Sequence, residues 1–178
     1  MPQTDINHAD IRTRFIFDDM PVRGLHVRLE NVWEHIAGQK HYPAAIRRAL
    51  GELLAAGALL SSNLKNEGTL IVQVQGQGRL KMLVVEATSD NTVRATARWD
   101  ETADIHDDES LTDLLGSNSV FVLTHQPKDA EPWQGVVPLE GDNIAQMLMN
   151  YIKRSEQLDT HIVLAASDHV SGGLLVQR

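Results

Sequence analysis

The chain has 178 residues, no cysteine, 4% aromatic residues and a formal net charge of −8. Its 42% hydrophobic and 22% charged content is that of a folded protein, which excludes a disordered chain. A chain of this size buries roughly two thirds of the surface its unfolded form would expose, so it needs no disulfide or metal staple.

Residues 1–10 are polar and lack the apolar run of a secretory leader, so the sequence predicts a soluble, cytoplasmic protein. From Arg12 to Asp18, Phe15 and Phe17 alternate with polar neighbours, which predicts a short strand broken at Met20-Pro21. Val22 to Glu30 reads as a half-buried strand, with Leu25, Val27 and Leu29 on one face and His26, Arg28 and Glu30 on the other. Asn31 is the expected cap of a short helix over Val32 to Ala37 that ends at Gly38.

Pro43 suits the first turn of the longest helix, predicted over about residues 44–64. Within it, Ala49 to Leu60 carries Glu52 as its one charge, so apolar residues surround the helix on nearly every side. A surface helix shows a polar face; this one should be buried, with a sheet on each side, and its length excludes a membrane span.

Leu70–Val74, Leu80–Ala87 and Val93–Trp99 read as three strands of an antiparallel meander, joined by short turns at Gly76-Gln77-Gly78 and Ser89-Asp90-Asn91. Asp100 to Asp113 holds seven acids and no Lys or Arg, predicting an exposed loop before a short helix near Leu111 to Leu115. Val120–Thr124 and Gln134–Leu139 are further strands. Asp142 is the expected cap of a helix from Asn143 to about Ser155, whose Ile144, Met147, Leu148, Tyr151 and Ile152 form one apolar face. Met147 should pack in the core, while Met149 falls off that face and is expected to be exposed. Strands over Ile162–Ala166 and Leu174–Val176 complete the reading. The predicted class is α+β, a three-layer β/α/β arrangement with the central helix buried between mainly antiparallel sheets.

A search for chemistry returns little. No nucleophile elbow, phosphate loop or H-E-x-x-H motif is present. Gly76-Gln77-Gly78 lies between two strands and reads as a hairpin turn, not a dinucleotide fingerprint. His35 and His41 flank a break, and His106 lies among Asp104, Asp107 and Asp108, a loose grouping with nothing to fix ligand geometry. Glu52 is the most unusual charge: an acid/base group with a raised pKa, or a structural partner of Arg47, Arg48 or a strand arginine. Residues 1–99 hold 12 Lys/Arg against 10 Asp/Glu, and residues 100–178 hold 4 against 14. That balance argues against nucleic acid, although Arg12, Arg14, Arg23 and Arg28 could form a local basic patch on an otherwise solvated surface.

Several stretches, in order along nearly the whole chain, resemble the heat shock protein 33 family of 33 kDa chaperonins. These are Val22-Arg23-Gly24, the helix through Leu53-Leu54 and Leu59-Leu60 to Leu64-Lys65, and the hairpin Gln73-Val74-Gln75-Gly76-Gln77-Gly78. The fullest match is Trp133-Gln134-Gly135-Val136-Val137-Pro138-Leu139-Glu140-Gly141-Asp142, followed by Tyr151 and Arg154-Ser155-Glu156-Gln157-Leu158, then Gly172-Gly173-Leu174-Leu175-Val176-Gln177. Two features depart from the family: Arg79-Leu80 stands where a proline is common, and the four zinc cysteines are missing.

The resemblance implies that residues 1–178 are a chaperone core domain, ending before a linker and a zinc-binding switch domain. It implies an ATP-independent, redox-regulated holdase, not an enzyme, that binds unfolding client proteins under oxidative and heat stress. Zinc and disulfides then belong to the full-length protein, with no cofactor, catalytic residue or metal ligand in this stretch, and the active form is a homodimer. No nucleic-acid or membrane partner is expected. The client-contact residues are not readable, because periodicity does not say which face of a sheet is covered. The alternatives are an acid/base or small-ligand site near Glu52 or His106, and a purely structural oligomerisation module.

Overall fold

The computed structural model describes residues 9–155 and 157–178. Its elements are β1 (Asp10–Ile16), β2 (Arg23–Leu29), α1 (Asn31–Ala37), α2 (Ala44–Ser61), β3 (Gly68–Gln75), β4 (Leu80–Thr88) and β5 (Val93–Trp99). They are followed by α3 (Leu111–Leu115), β6 (Val120–Pro127), β7 (Trp133–Pro138), α4 (Ile144–Ser155), β8 (Thr160–Ala166) and β9 (Ser171–Gln177). A four-stranded sheet has the order β1-β2-β9-β8 and a five-stranded sheet the order β5-β4-β3-β6-β7. Every pairing is antiparallel.

Helix α2 lies between the two sheets, against β8 and β9 on one side and β3, β4 and β5 on the other. Ile46, Leu50, Leu53, Leu54 and Ala55 are wholly buried, as a helix apolar all round requires. Its two glycines mark where the sheets press closest. A Cβ on Gly51 would sit 2.5 Å from the Ala166 Cβ, and one on Gly57 would sit 2.6 Å from Val85 Cγ1. The expected three-layer β/α/β core is therefore present. Helix α4 shares the middle layer, packing against β8 and, through Tyr151 on the Phe121 ring at 5.4 Å, against β6.

Several boundaries and caps differ from expectation for identifiable reasons. Strand β1 starts two residues earlier than predicted because its ladder to β2 extends back to the Glu30 N–H donating to Ala9 O at 2.8 Å. Asn31 does not cap α1; it is the first helical residue, and the Asp10 Oδ1 of β1 accepts from the N–H groups of Glu30 (2.9 Å) and Val32 (3.3 Å) instead. Helix α2 stops at Ser61. Ser61 and Ser62 hydroxyls donate to the carbonyls of Ala58 and Leu59, and the following amides bond three residues back, so the last turn tightens and does not run on to Leu64. At α4 the Asn143 Oδ1 accepts from Gln146 N at 3.0 Å, so Asn143, not Asp142, is the cap. Strands β8 and β9 are longer than their apolar runs because Thr160 and Gln177 continue the pairing and bond each other, Gln177 Nε2 donating to Thr160 Oγ1 at 3.0 Å.

Candidate functional site

Alternation along a strand sends one row of side chains to α2 and the other away from it. In the four-stranded sheet Leu25, Val27, Leu29, Ile162 and Leu175 face the helix and are buried. The opposite face follows from the register: Ile11, Thr13 and Phe15 on β1; Gly24, His26 and Arg28 on β2; Gly172, Leu174 and Val176 on β9; His161, Val163 and Ala165 on β8. An open face of an antiparallel sheet is normally polar. Here Val163 is 65% exposed and Leu174, its cross-strand partner, 36%. Phe15 lies across Gly24, where a Cβ would fall 2.0 Å from the ring, and meets Phe17 edge-on at 5.9 Å. Ile16, Phe17 and Met20 are exposed at the β1–β2 turn, with Ile16 on the helix-facing row opposite Arg23. Clustered apolar side chains in water are the kind of surface on which partners dock. Its signal was in the sequence: Ile162 to Ala166 is apolar at every position, so a half-buried strand there must show apolar side chains to solvent.

The arginines expected as one surface patch are divided between the two faces. Arg28 points outward and pairs with Glu30. Arg12 and Arg14 lie on the helix-facing side of β1, where the Arg12 Nη1 donates to Ala58 O and Ser61 Oγ at 3.3 Å and Arg14 bonds Ser62 O. Helix α2 has no basic residue in its last turn, so strand β1 supplies the cations that its C-terminal dipole favours. Burial, and then the like charge of Arg14, hold the Arg12 guanidinium below its ordinary value.

Glu52 is half-buried and forms no ion pair among the described residues, which corrects the expected arginine partner. Arg47 reaches Asp168 at 3.0 Å, and Arg48 donates to the carbonyl of Asp107 at 2.8 Å. Burial raises the Glu52 pKa, and Arg48, one turn back, partly offsets it. His106 is exposed, with Nε2 3.6 Å from Asp104 Oδ2, on the expected acidic loop. That loop takes its cation from β4's approach: Arg79 donates to Glu109 Oε1 at 2.7 Å and to Asp104 O at 2.9 Å, lowering the Glu109 pKa. Asp107 and Asp108 contribute no convergent ligands, and His35 and His41 are exposed on either side of the α1–α2 connection. None of five cavities of about 200–380 Å³ is lined by Glu52 or His106.

Met147 is buried as expected. Met149 is only partly exposed, because its Sδ accepts the Ile162 N–H at 3.4 Å and so covers the free edge of β8. Tyr151 and Met147, with Phe121 and Val137, line a cavity of about 220 Å³ beside β7, closed at its rim by Arg154 donating to both carboxylate oxygens of Glu140.

A family model described as Hsp33 protein matches residues 10–178. The chain belongs to the Hsp33 family. It is 85% identical to the 33 kDa chaperonin of Neisseria meningitidis serogroup A over 178 residues, all of this chain and 59% of that protein. It is 49% identical over 176 residues to the 33 kDa chaperonin of Chromobacterium violaceum, again 59% of that protein. The crystal structure of the 33 kDa chaperonin from Thermotoga maritima superposes with a TM-score of 0.83 at 24% identity, over 96% of this chain and 61% of that one, and supports the fold. The chain thus spans about three fifths of the length of these Hsp33 relatives. The zinc that the resemblance implied does not fit the residues present: the Hsp33 stretch here has no cysteine, and among the described residues no three His, Asp or Glu side chains gather. No helix among the described residues is long and apolar enough to cross a membrane.

Proposed function

We propose that this chain is the client-holding core of an ATP-independent chaperone, and that the outer face of the four-stranded sheet is where non-native proteins dock. One observation carries the reading: Val163 and Leu174 present apolar side chains to water on the side of the sheet away from α2, the half-buried Phe15 lies on that same side, and Ile16, Phe17 and Met20 are exposed at the adjoining β1–β2 turn. Partly unfolded proteins expose the same kind of surface, and burying about 25 cal/mol per Å² of it holds them without nucleotide hydrolysis. Binding through apolar contact alone is unselective in sequence, as a holdase requires.

The remaining parts of the proposal rest on the family. Action without catalysis, a cytoplasmic location, a homodimer in the active form and no nucleic-acid partner all belong to it. Redox control belongs to further chain of the kind the longer relatives carry. There, a two-electron oxidant such as a peroxide would convert pairs of zinc thiolates to disulfides, the zinc would leave as its ligands are lost, and the cover over the apolar face would be released.

The test is light scattering from a thermally unfolding client in reducing buffer. The 178-residue chain is expected to suppress aggregation with no oxidant, and Val163→Asp to weaken suppression several-fold while the far-UV spectrum stays unchanged. Unaltered aggregation at excess chain, or undiminished holding by Val163→Asp and Leu174→Asp together, sinks the proposal.

A further inference from the structure

The helix-facing side of the four-stranded sheet carries three arginines, Arg12, Arg14 and Arg23, that form no ion pair among the described residues. Arg12 and Arg14 are two residues apart on β1, hence roughly 7 Å along one face. Arg23 pairs with Ile16 in the register, which puts it diagonal to Arg14 at roughly 7–8 Å on that same face. Among the described residues neither Arg14 nor Arg23 forms an ion pair with an acidic side chain, in a chain whose net charge is −8.

Among the described residues, the neutral partners they do have leave most of their donors unspent. A guanidinium carries five N–H donors in a planar fork. Arg12 is committed, bonding Ala58 O, Ser61 Oγ and the Asn91 side-chain oxygen. Arg14 donates one bond, to Ser62 O, and Arg23 two, from Nε at 3.1 Å and Nη2 at 2.5 Å to Gln177 Oε1. Gln177 is itself locked by Thr160, so Arg23 is held in place by a fixed amide and not by a charge. Arg14, Arg23, Asn63 and Gln177 line a cavity of about 200 Å³ floored by Leu25 and Leu175, at the point where α2 has ended and the two layers part. Asn63 is exposed there. Two forks and a carboxamide around one small hollow match an anion with several coplanar or tetrahedral oxygens.

The geometry points to an oxyanion-binding site between Arg14, Arg23 and Asn63, for a small phosphate- or carboxylate-type ligand. It lies on the helix-facing side of the sheet, away from Val163 and Leu174, with Phe15 and Ile16 of the apolar surface at its rim, and anion binding does not require a client. Occupancy neutralises the like charges at the C-terminal end of α2 and ties β1 to β2 and to the helix end, so a bound anion stabilises the core.

The experiment compares inorganic phosphate, succinate and chloride at equal ionic strength by thermal unfolding of the 178-residue chain. Phosphate, succinate or both raise the midpoint above chloride, and which of them does so identifies the oxygen group that the site takes. Arg14→Gln and Arg23→Gln each weaken that effect about tenfold or more, as losing a charged hydrogen-bond partner does. Arg28→Gln, on the other face, leaves it unchanged. Should Arg14→Gln fold poorly, the unaltered chain still decides the matter. In its ¹H–¹⁵N spectrum the Nε–H signals of Arg14 and Arg23 and the Asn63 amide shift on titration with the effective anion. Equal midpoints in all three salts, variants that respond like the parent, or shifts confined to other residues overturn the assignment.

Discussion

Replacing Gly51 by alanine puts two well-characterised effects in opposition. In an open helix the exchange stabilises by about 1 kcal/mol, because glycine has more backbone freedom to lose. Here the added methyl carbon would lie 2.5 Å from the Ala166 Cβ and 2.9 Å from Trp33 Cζ2. Neither neighbour can step aside. The Ala166 methyl is fixed directly to the backbone of β8, and Trp33 is wholly buried with its indole N–H donating to Ser167 O at 2.8 Å. Relief has to come from separating α2 from the sheet, and overpacking of a filled core costs about 1–3 kcal/mol before the propensity gain is set against it. Both contacts are under 3.0 Å, so the cost wins, leaving a net loss of up to about 2 kcal/mol, or a fall of up to about 8 °C in the unfolding midpoint for a domain of this size. Gly57→Ala, facing Val85 on the other sheet, is expected to behave alike, and the two losses to add because the sites are about 9 Å apart along the helix. Thermal and urea unfolding of the three variants measure this. A Gly51→Ala chain that melts at or above the parent would refute the claim that the four-stranded sheet presses directly on α2.

Arg12→Met removes the side chain that clasps the end of α2. The expected loss is about 1–2 kcal/mol in urea unfolding, while Arg28→Met on the opposite face costs less. Glu52→Gln tests the half-buried carboxyl. Because burial raises its folded pKa, the native state is favoured at low pH, and that advantage is lost as pH rises through the folded value. The variant should therefore melt above the parent at neutral pH and level with it below the ordinary glutamate range. Equal midpoints throughout would show that Glu52 is fully solvated. Met149→Leu withdraws the acceptor from Ile162 N–H, so amide exchange at Ile162 should quicken at least several-fold with the global stability little altered.

Much of the architecture was legible along the chain. Ala49 to Leu60, apolar around its whole circumference, demanded cover on both sides, and α2 has it. The turns at residues 76–78 and 89–91 joined strands of the five-stranded sheet where the alternation placed them. Local signals failed where a distant partner took over a local job. Asp10 caps α1 in place of Asn31, Arg12 and Arg14 clasp α2, and Arg79 and Arg48 reach an acidic loop that has no cation of its own. Glu52 was expected to find an arginine, but both arginines one turn away were claimed, by Asp168 and by the Asp107 carbonyl.

By itself the sequence determined the layers. The periods of its apolar residues, two in the strands and all-round in the central helix, depend only on backbone geometry and on the cost of leaving apolar surface wet. The tertiary structure alone decided which strand faces water, because register and sheet order join β2 to β9 across more than a hundred residues of chain. That same pairing put Val163 beside Leu174 on the open side and set Arg14 and Arg23 around one cavity on the other. Alternation says that a strand has two faces; only the packing of α2 against one of them says which is left for a partner.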